Sequence, residues 1–271
     1  MAAITIPFIK AHGAANDFLL SPADRVPPGD LASMARAICN RHTGIGADGW
    51  ILMRDTRIRL FNADGSEAEM SGNGTRCAAA VLIDSGQAKD QLTITTGAGP
   101  KHLRLISQTG RRFLFEMDMG QPVIHQHQVR FLLPLASGAR EVTILDVGNP
   151  QCAVFVDRFQ PDWPALGAEI EAHPHFPKRT NVSFVLPVDE HTIEARFYER
   201  GAGVTLSSGT GSTGAAVAAI LRKVASSPVR VLAPGGEPLE LRWDRSVYLT
   251  GPAEIVGAGE FHLASNQQNQ K

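Results

Sequence analysis

Short apolar runs recur along the chain at 4–9, 50–53, 58–61, 92–95, 112–117, 141–147, 153–156, 182–185, 192–198, 229–232, 239–243 and 247–250. Most alternate or are rich in Val, Ile, Phe and Thr, and most are bounded by Gly, Pro, Asn or Asp, so they predict strands. Helical periodicity is rarer. Residues 29–41 place Leu31, Met34 and Ile38 on one stripe, which predicts an amphipathic helix. Residues 73–85 and 210–224 are Ala-rich with almost no charge and predict helices buried on most sides. Many strands around two buried helices make an α+β pattern, not a βαβ repeat.

The pattern also repeats. Arg59-Leu-Phe-Asn-Ala-Asp-Gly-Ser-Glu-Ala-Glu-Met-Ser-Gly-Asn-Gly and Arg196-Phe-Tyr-Glu-Arg-Gly-Ala-Gly-Val-Thr-Leu-Ser-Ser-Gly-Thr-Gly align at an offset of 137 residues, close to half of 271. That offset pairs Asn62 with Glu199, Ser71 with Ser208, Gly72 with Gly209 and Gly74 with Gly211. Each unit reads strand, loop, Ser-Gly-x-Gly, buried helix. Two similar domains facing each other, each turning a helix N-terminus to the junction, are the simplest account.

Composition narrows the function classes. Hydrophobic residues make up 43% and charged residues 20%, enough for a packed core. Lys and Arg total 26 against 27 Asp and Glu, with no block of one sign, which argues against a phosphate-gripping nucleic-acid binder. No apolar run reaches membrane-spanning length, and the first residues lack the layout of a secretory signal. Cys39, Cys77 and Cys152 are too widely spaced for a metal motif and read as buried free thiols in a reducing cytoplasm. The polar end Ser265–Lys271 reads as a frayed tail.

Candidate chemistry gathers at the two glycine-led helix starts. A helix N-terminus offers unpaired N–H groups and partial positive charge, and so holds an anion. Ser71 and Ser208 stand at these entries as N-caps, as partners of a bound group, or as both. Gly44–Gly49 and Gly209–Gly214 each fit G-x-G-x-x-G. A strand follows the first, and the second lacks an acidic residue at the ribose-binding distance, so a dinucleotide site is disfavoured. There is no Walker A motif, H-E-x-x-H or G-x-S-x-G, and the histidines form no metal spacing.

Eight blocks, in order and across nearly the whole chain, resemble the diaminopimelate epimerase family. They are His12-Gly-Ala-Ala-Asn-Asp-Phe, Arg41-His-Thr-Gly-Ile-Gly-Ala-Asp-Gly, Phe61 to Cys77, Gly148-Asn-Pro-Gln-Cys, Arg179-Thr-Asn-Val-Ser-Phe, Glu199-Arg-Gly-Ala-Gly, Ser208-Gly-Thr-Gly and Gly251-Pro-Ala-Glu. The resemblance implies an α+β fold of two similar domains, each a β-rich barrel-like shell around a central helix, related by pseudo-two-fold symmetry. The domains would span 1–119, joined by a returning strand at 259–271, and 120–258. It implies a cytoplasmic, cofactor-independent epimerase of lysine precursor synthesis, with no metal. The partner would be a small amino-acid substrate, not nucleic acid or a membrane, and a homodimer is the candidate assembly. The family's contact residues carry over as Asn16, Asn62, Gly72, Asn73, Asn149, Asn181, Glu199, Arg200, Gly209 and Thr210.

Three positions depart from the family. It normally has cysteines where this chain has Ser71 and Ser208, and a histidine where it has Gln151. A serine hydroxyl lies roughly 5 pKa units above a thiol, so ionising it costs about 7 kcal/mol more, or about 10⁵-fold in rate. Cys77, six residues beyond Ser71, is a poor substitute. Losing two thiols and an imidazole together favours natural divergence over a deliberate pair of substitutions. The expected catalytic set is Ser71, Ser208 and Glu199. The alternatives are a carboxylate base (Glu199 or Asp64) and a non-catalytic amino-acid-binding homologue.

Overall fold

A computed structural model describes residues 4–263; the expected tail Ser265–Lys271 and the outer part of the expected returning strand lie outside them. The chain divides into two compact units. One takes the described residues through Phe115 and those from Pro252 onward, and the other is Glu116–Gly251. The strand Val247–Leu263 explains the return point: Val247–Thr250 pair with Leu239–Trp243, while 254–263 pair antiparallel with Ile4–Gly13.

In the first unit Ile4–Gly13 forms a hairpin with Asn16–Pro22, which runs parallel to Gly49–Arg54. The parallel step requires a crossover, supplied by helix α1 (Leu31–Cys39). Gly49–Arg54 forms a hairpin with Arg57–Asn62, which is parallel to Gln91–Thr96 across helix α2 (Gly72–Asp84). Gln91–Thr96 then pairs antiparallel with Gly99–Thr109.

The second unit repeats this order. Arg140–Asp146 and Pro150–Phe155 form a hairpin, and the latter is parallel to Asn181–Asp189 across helix α3 (Trp163–Glu171). Asn181–Asp189 pairs antiparallel with Thr192–Glu199, which is parallel to Val229–Leu232 across helix α4 (Gly209–Leu221). A hairpin to Leu239–Trp243 closes the series.

Two kinds of helix result. α1 is amphipathic, and both α1 and α3 lie against the strands. Met34 and Ile38 pack with Leu19, Trp50 and Phe61, and Ile170 packs with Val154, Val182 and Phe184. Trp50 is fully buried with its indole N–H on Ser21 Oγ at 3.0 Å, and truncating such a ring costs about 3–5 kcal/mol. By contrast, α2 and α4 are enclosed. α2 touches the strands of its unit from Ile4–Gly13 to Gly99–Thr109, and α4 those from Arg140–Asp146 to Leu239–Trp243. Their small residues follow from this. A Cβ on Gly74 would meet Ile51 at 2.9 Å, and one on Gly214 would meet Gln151 at 2.9 Å. Each unit is thus a β shell around a central helix, within an α+β fold.

Candidate functional site

In the first unit Ser71 has extended backbone and caps α2, its Oγ accepting from Gly74 N at 3.1 Å. The cap satisfies one donor of the first turn, while the N–H groups of Gly72 and Asn73 lie where a helix has no internal acceptor. Asn73 is fully buried. Asn73 Nδ2 donates to Asn16 Oδ1 at 3.1 Å, and Asn16 Nδ2 donates to Asp48 Oδ2 at 2.7 Å. Asn62 belongs to a tight turn, with its Nδ2 on Ser66 Oγ at 3.0 Å and Ser66 Oγ on Asp64 Oδ1 at 2.6 Å. The Asp64 carboxylate is therefore engaged inside its own turn, with the Ser66 N–H also on it at 2.8 Å.

In the second unit Ser208 caps α4 in the same way, accepting from Gly211 N at 3.0 Å. Its hydroxyl also donates to Glu199 Oε1 at 2.6 Å. The strand Thr192–Glu199 delivers this carboxylate at its end, and the turn that follows runs through the positive-φ glycines Gly201 and Gly203. Asn149 accepts from Gln151 Nε2 at 2.7 Å and donates to Thr210 Oγ1 at 3.4 Å. Asn181 donates to Pro150 O at 3.0 Å and accepts from Arg200 N at 3.0 Å, while Arg200 Nη1 donates to Lys178 O at 3.2 Å. Hydrogen bonds thus join Ser208 to Glu199, Asn149 to Thr210, and Asn181 to Arg200. The two serine tips are chemically unequal: Ser208 meets a carboxylate, whereas its repeat partner Ser71 is preceded by the amide Asn62.

No thiol replaces the serines. Cys39, Cys77 and Cys152 are buried and free, and burial pushes the thiols of Cys39 and Cys77 up to about 12 and that of Cys152 higher still. Among the described residues no group of three or more His, Cys, Asp or Glu side chains could hold a metal ion. Nor is any helix among them long and apolar enough to cross a membrane.

Sequence reasoning passed over Arg76 and Asp48. Arg76 is fully buried, with Nε on Pro252 O at 3.1 Å, Nη1 on Gly72 O at 3.2 Å and Nη2 on Asn73 Oδ1 at 2.6 Å. A lone arginine in an otherwise apolar helical stretch was the available signal. Asp48 joins Asn16 to Arg41, whose Nη2 donates to Asp48 Oδ1 at 2.7 Å and to Asp17 Oδ1 at 2.7 Å. Burial alone would raise the Asp17 carboxyl, but Arg41 and Lys10 beside it hold it below the usual carboxylate range.

Comparison with known proteins places these features. The diaminopimelate epimerase family model matches residues 8–125 and 143–256. The diaminopimelate epimerases of Pelotomaculum thermopropionicum and Moorella thermoacetica are 39% and 40% identical to this chain, over 94% of it in both cases and 98% and 99% of their own lengths. That of Aromatoleum aromaticum is 39% identical over 96% of this chain and 100% of its own. Among solved structures, a hydroxyproline epimerase from Agrobacterium vitis superposes with a TM-score of 0.72 at 16% identity, covering 96% of this chain and 93% of that one. A Bacillus anthracis phenazine biosynthesis protein of the PhzF family does so with a TM-score of 0.66 at 15% identity, over 94% and 98%. At these identities the two structures show the shared fold alone.

Proposed function

The chain belongs to the diaminopimelate epimerase family, and from that membership we propose a cofactor-independent isomerase that inverts the α-carbon of diaminopimelate or a close relative by two-sided proton transfer. The reading includes a cytoplasmic homodimer acting on this small amino acid, with neither nucleic acid nor membrane as partner. Inversion needs a base for one face of the carbon and an acid for the other. The family's two proton-transfer positions are held here by Ser71 and Ser208, each capping a buried, glycine-led helix.

The observation that carries the reading is the 2.6 Å hydrogen bond from Ser208 Oγ to Glu199 Oε1. It gives one serine a destination for its proton. As Ser208 Oγ takes the α-hydrogen, its own proton passes to Glu199. The N–H of Gly211 and the α4 terminus stabilise the charge developing on Oγ. Ser71 Oγ–H delivers a proton to the opposite face and recovers one from solvent, and Glu199 releases to solvent the proton it took, which resets the site. The same bond also favours a second reading, in which Glu199 is itself the base and Ser208 only orients it.

The test is α-deuterium uptake from D₂O by LL- and meso-diaminopimelate and other amino acids. The expected result is slow uptake with interconversion of isomers, lost in Ser208→Ala. Binding without uptake for every amino acid tried would leave a binding protein and sink the proposal.

A further inference from the structure

One hydrogen-bonded chain in the first unit runs through four side chains. Arg76 Nη2 donates to Asn73 Oδ1 at 2.6 Å, Asn73 Nδ2 to Asn16 Oδ1 at 3.1 Å, and Asn16 Nδ2 to Asp48 Oδ2 at 2.7 Å. An amide side chain keeps its shape when turned end for end, so only its neighbours decide which end is the donor. Here both terminal neighbours are one-way groups. A guanidinium only donates and a carboxylate only accepts, so the two amides between them point in one direction.

The ends are themselves held. Arg76 is fully buried, with Nε and Nη1 bound to the carbonyls of Pro252 and Gly72. The other oxygen of Asp48 is taken by Arg41 at 2.7 Å. A buried guanidinium is costly to keep unless its donors are met, and here they reach Pro252 O, Gly72 O at the helix entry and the Asn73 end of the relay. Asn73 is fully buried and transmits direction, whereas Asn16 is the relay's outlet at 8% exposure.

We propose that Arg76 and Asp48 are positioning residues that fix Asn16 as a hydrogen-bond donor toward the ligand, so that this part of the site prefers a carboxylate to a carboxamide. The inference rests on the amino-acid ligand proposed above. A donor amide meets a carboxylate through a charge-assisted bond. An amide turned the other way would meet it oxygen to oxygen.

The relay can be reversed at nearly constant shape and unchanged net charge. In the double variant Asp48→Asn/Asn73→Asp the accept-only group moves to the other side of Asn16. Asn16 must then donate toward position 73 and accept from position 48. The accompanying losses are the acceptor of the 3.2 Å Asp17 N–H bond and the charge of the Arg41–Asp48 ion pair, which both probes share. Binding of meso-diaminopimelate and of its monocarboxamide is measured by calorimetry. The dicarboxylate should bind at least about 10-fold more weakly to the double variant, while the carboxamide stays within about 2-fold. Asp48→Asn alone removes one of the two one-way ends while Arg76 still holds the other, and should narrow the ratio of the two affinities by less than the double variant does. Equal loss for both probes, or no change in either, overturns the proposal. If the unmodified chain binds neither probe, the ligand assignment falls first and this inference with it. Neutron diffraction of the unmodified chain gives an independent reading, expected to place an Asn16 amide deuteron toward Asp48; one facing Asn73 instead overturns the proposal.

Discussion

Ser208 and Glu199 meet at 2.6 Å, and the chemistry of that pair decides what either can do alone. In Glu199→Gln the side chain can still accept the serine hydroxyl bond but cannot take its proton. α-Deuterium exchange should therefore fall by about 10²–10³-fold while ligand affinity stays near its original value. If exchange survives in Glu199→Gln but disappears in Ser71→Ala, the carboxylate has no part in the proton transfer. The cysteines make a second expectation at this scale. Thiols held near or above about 12 by burial are almost wholly protonated at pH 8. A chromogenic disulfide reagent should find no thiol in the native protein and all three after unfolding, and iodoacetamide should leave activity intact. These residues were legible to different degrees. Ser71, Ser208 and Glu199 stand out in a repeat because aligned positions share a spacing. Arg76 and Asp48 have no counterpart at the same offset, and two of the partners they hold, Pro252 and Asn16, lie 176 and 32 residues away in sequence.

The central helices tie the serines to the shells, and their first-turn glycines set how closely. A Cβ on Gly74 would meet Ile51 Cδ1, the movable end of a side chain, at 2.9 Å. A Cβ on Gly211 would meet Phe197 at 2.7 Å and Ser208 Oγ at 2.8 Å. Gly211→Ala should thus cost about 1–3 kcal/mol in urea unfolding and also push Ser208 away from Glu199, whereas Gly74→Ala should cost less. If the two variants lose equal stability and keep equal exchange rates, the packing argument is wrong. Sequence periodicity found these helices because Ala and Gly dominate wherever strands close round a helix. It set the first helix at 29–41, and the structure has it at Leu31–Cys39. It missed α3, whose nine residues begin with Trp-Pro and carry a mixed pattern. It also missed the strands Asn16–Pro22 and Gly99–Thr109, whose polar starts hide the alternation. α3 was recoverable from the repeat itself, since it is the crossover that α1 provides in the first unit. The loop 41–49 is pinned to the first hairpin by Arg41, Lys10, Asp17 and Asp48. The Asp17 carboxyl is held below its ordinary 3.8, so the unfolded chain binds a proton there first as pH falls. The stability Asp17 contributes is complete above that value and is lost as pH drops through the folded one. The gap in unfolding free energy between the unmodified chain and Asp17→Asn should close on going from about pH 5 to pH 2. A constant gap would mean that the cluster does not hold the ionised form.

At the scale of the whole chain, family membership and fold are clear, while Ser71, Ser208 and Gln151 are the positions where the proposed proton transfer departs from the family pattern. Pattern and repeat supplied the α+β shells. They could not supply the strength of the acid and base, because that depends on the pKa of the capping group and not on its spacing. The same cap geometry makes the difference testable in both directions. Ser71→Cys, Ser208→Cys and Gln151→His together install two thiols and an imidazole without asking any strand to move. Gly214 already lies so close to Gln151 that the new ring must fit against bare backbone, which a glycine permits. The thiols gain roughly 5 pKa units over hydroxyls, so exchange should rise by up to about 10⁵-fold if proton transfer limits the rate. The restored enzyme should also become sensitive to iodoacetamide, which the unmodified chain resists, so the gain can be assigned to the new thiols. A triple variant that binds diaminopimelate yet exchanges no faster would show that this chain's shells no longer hold the carbon where an acid and a base can reach it. Ser71 and Ser208 would then be helix caps and nothing more.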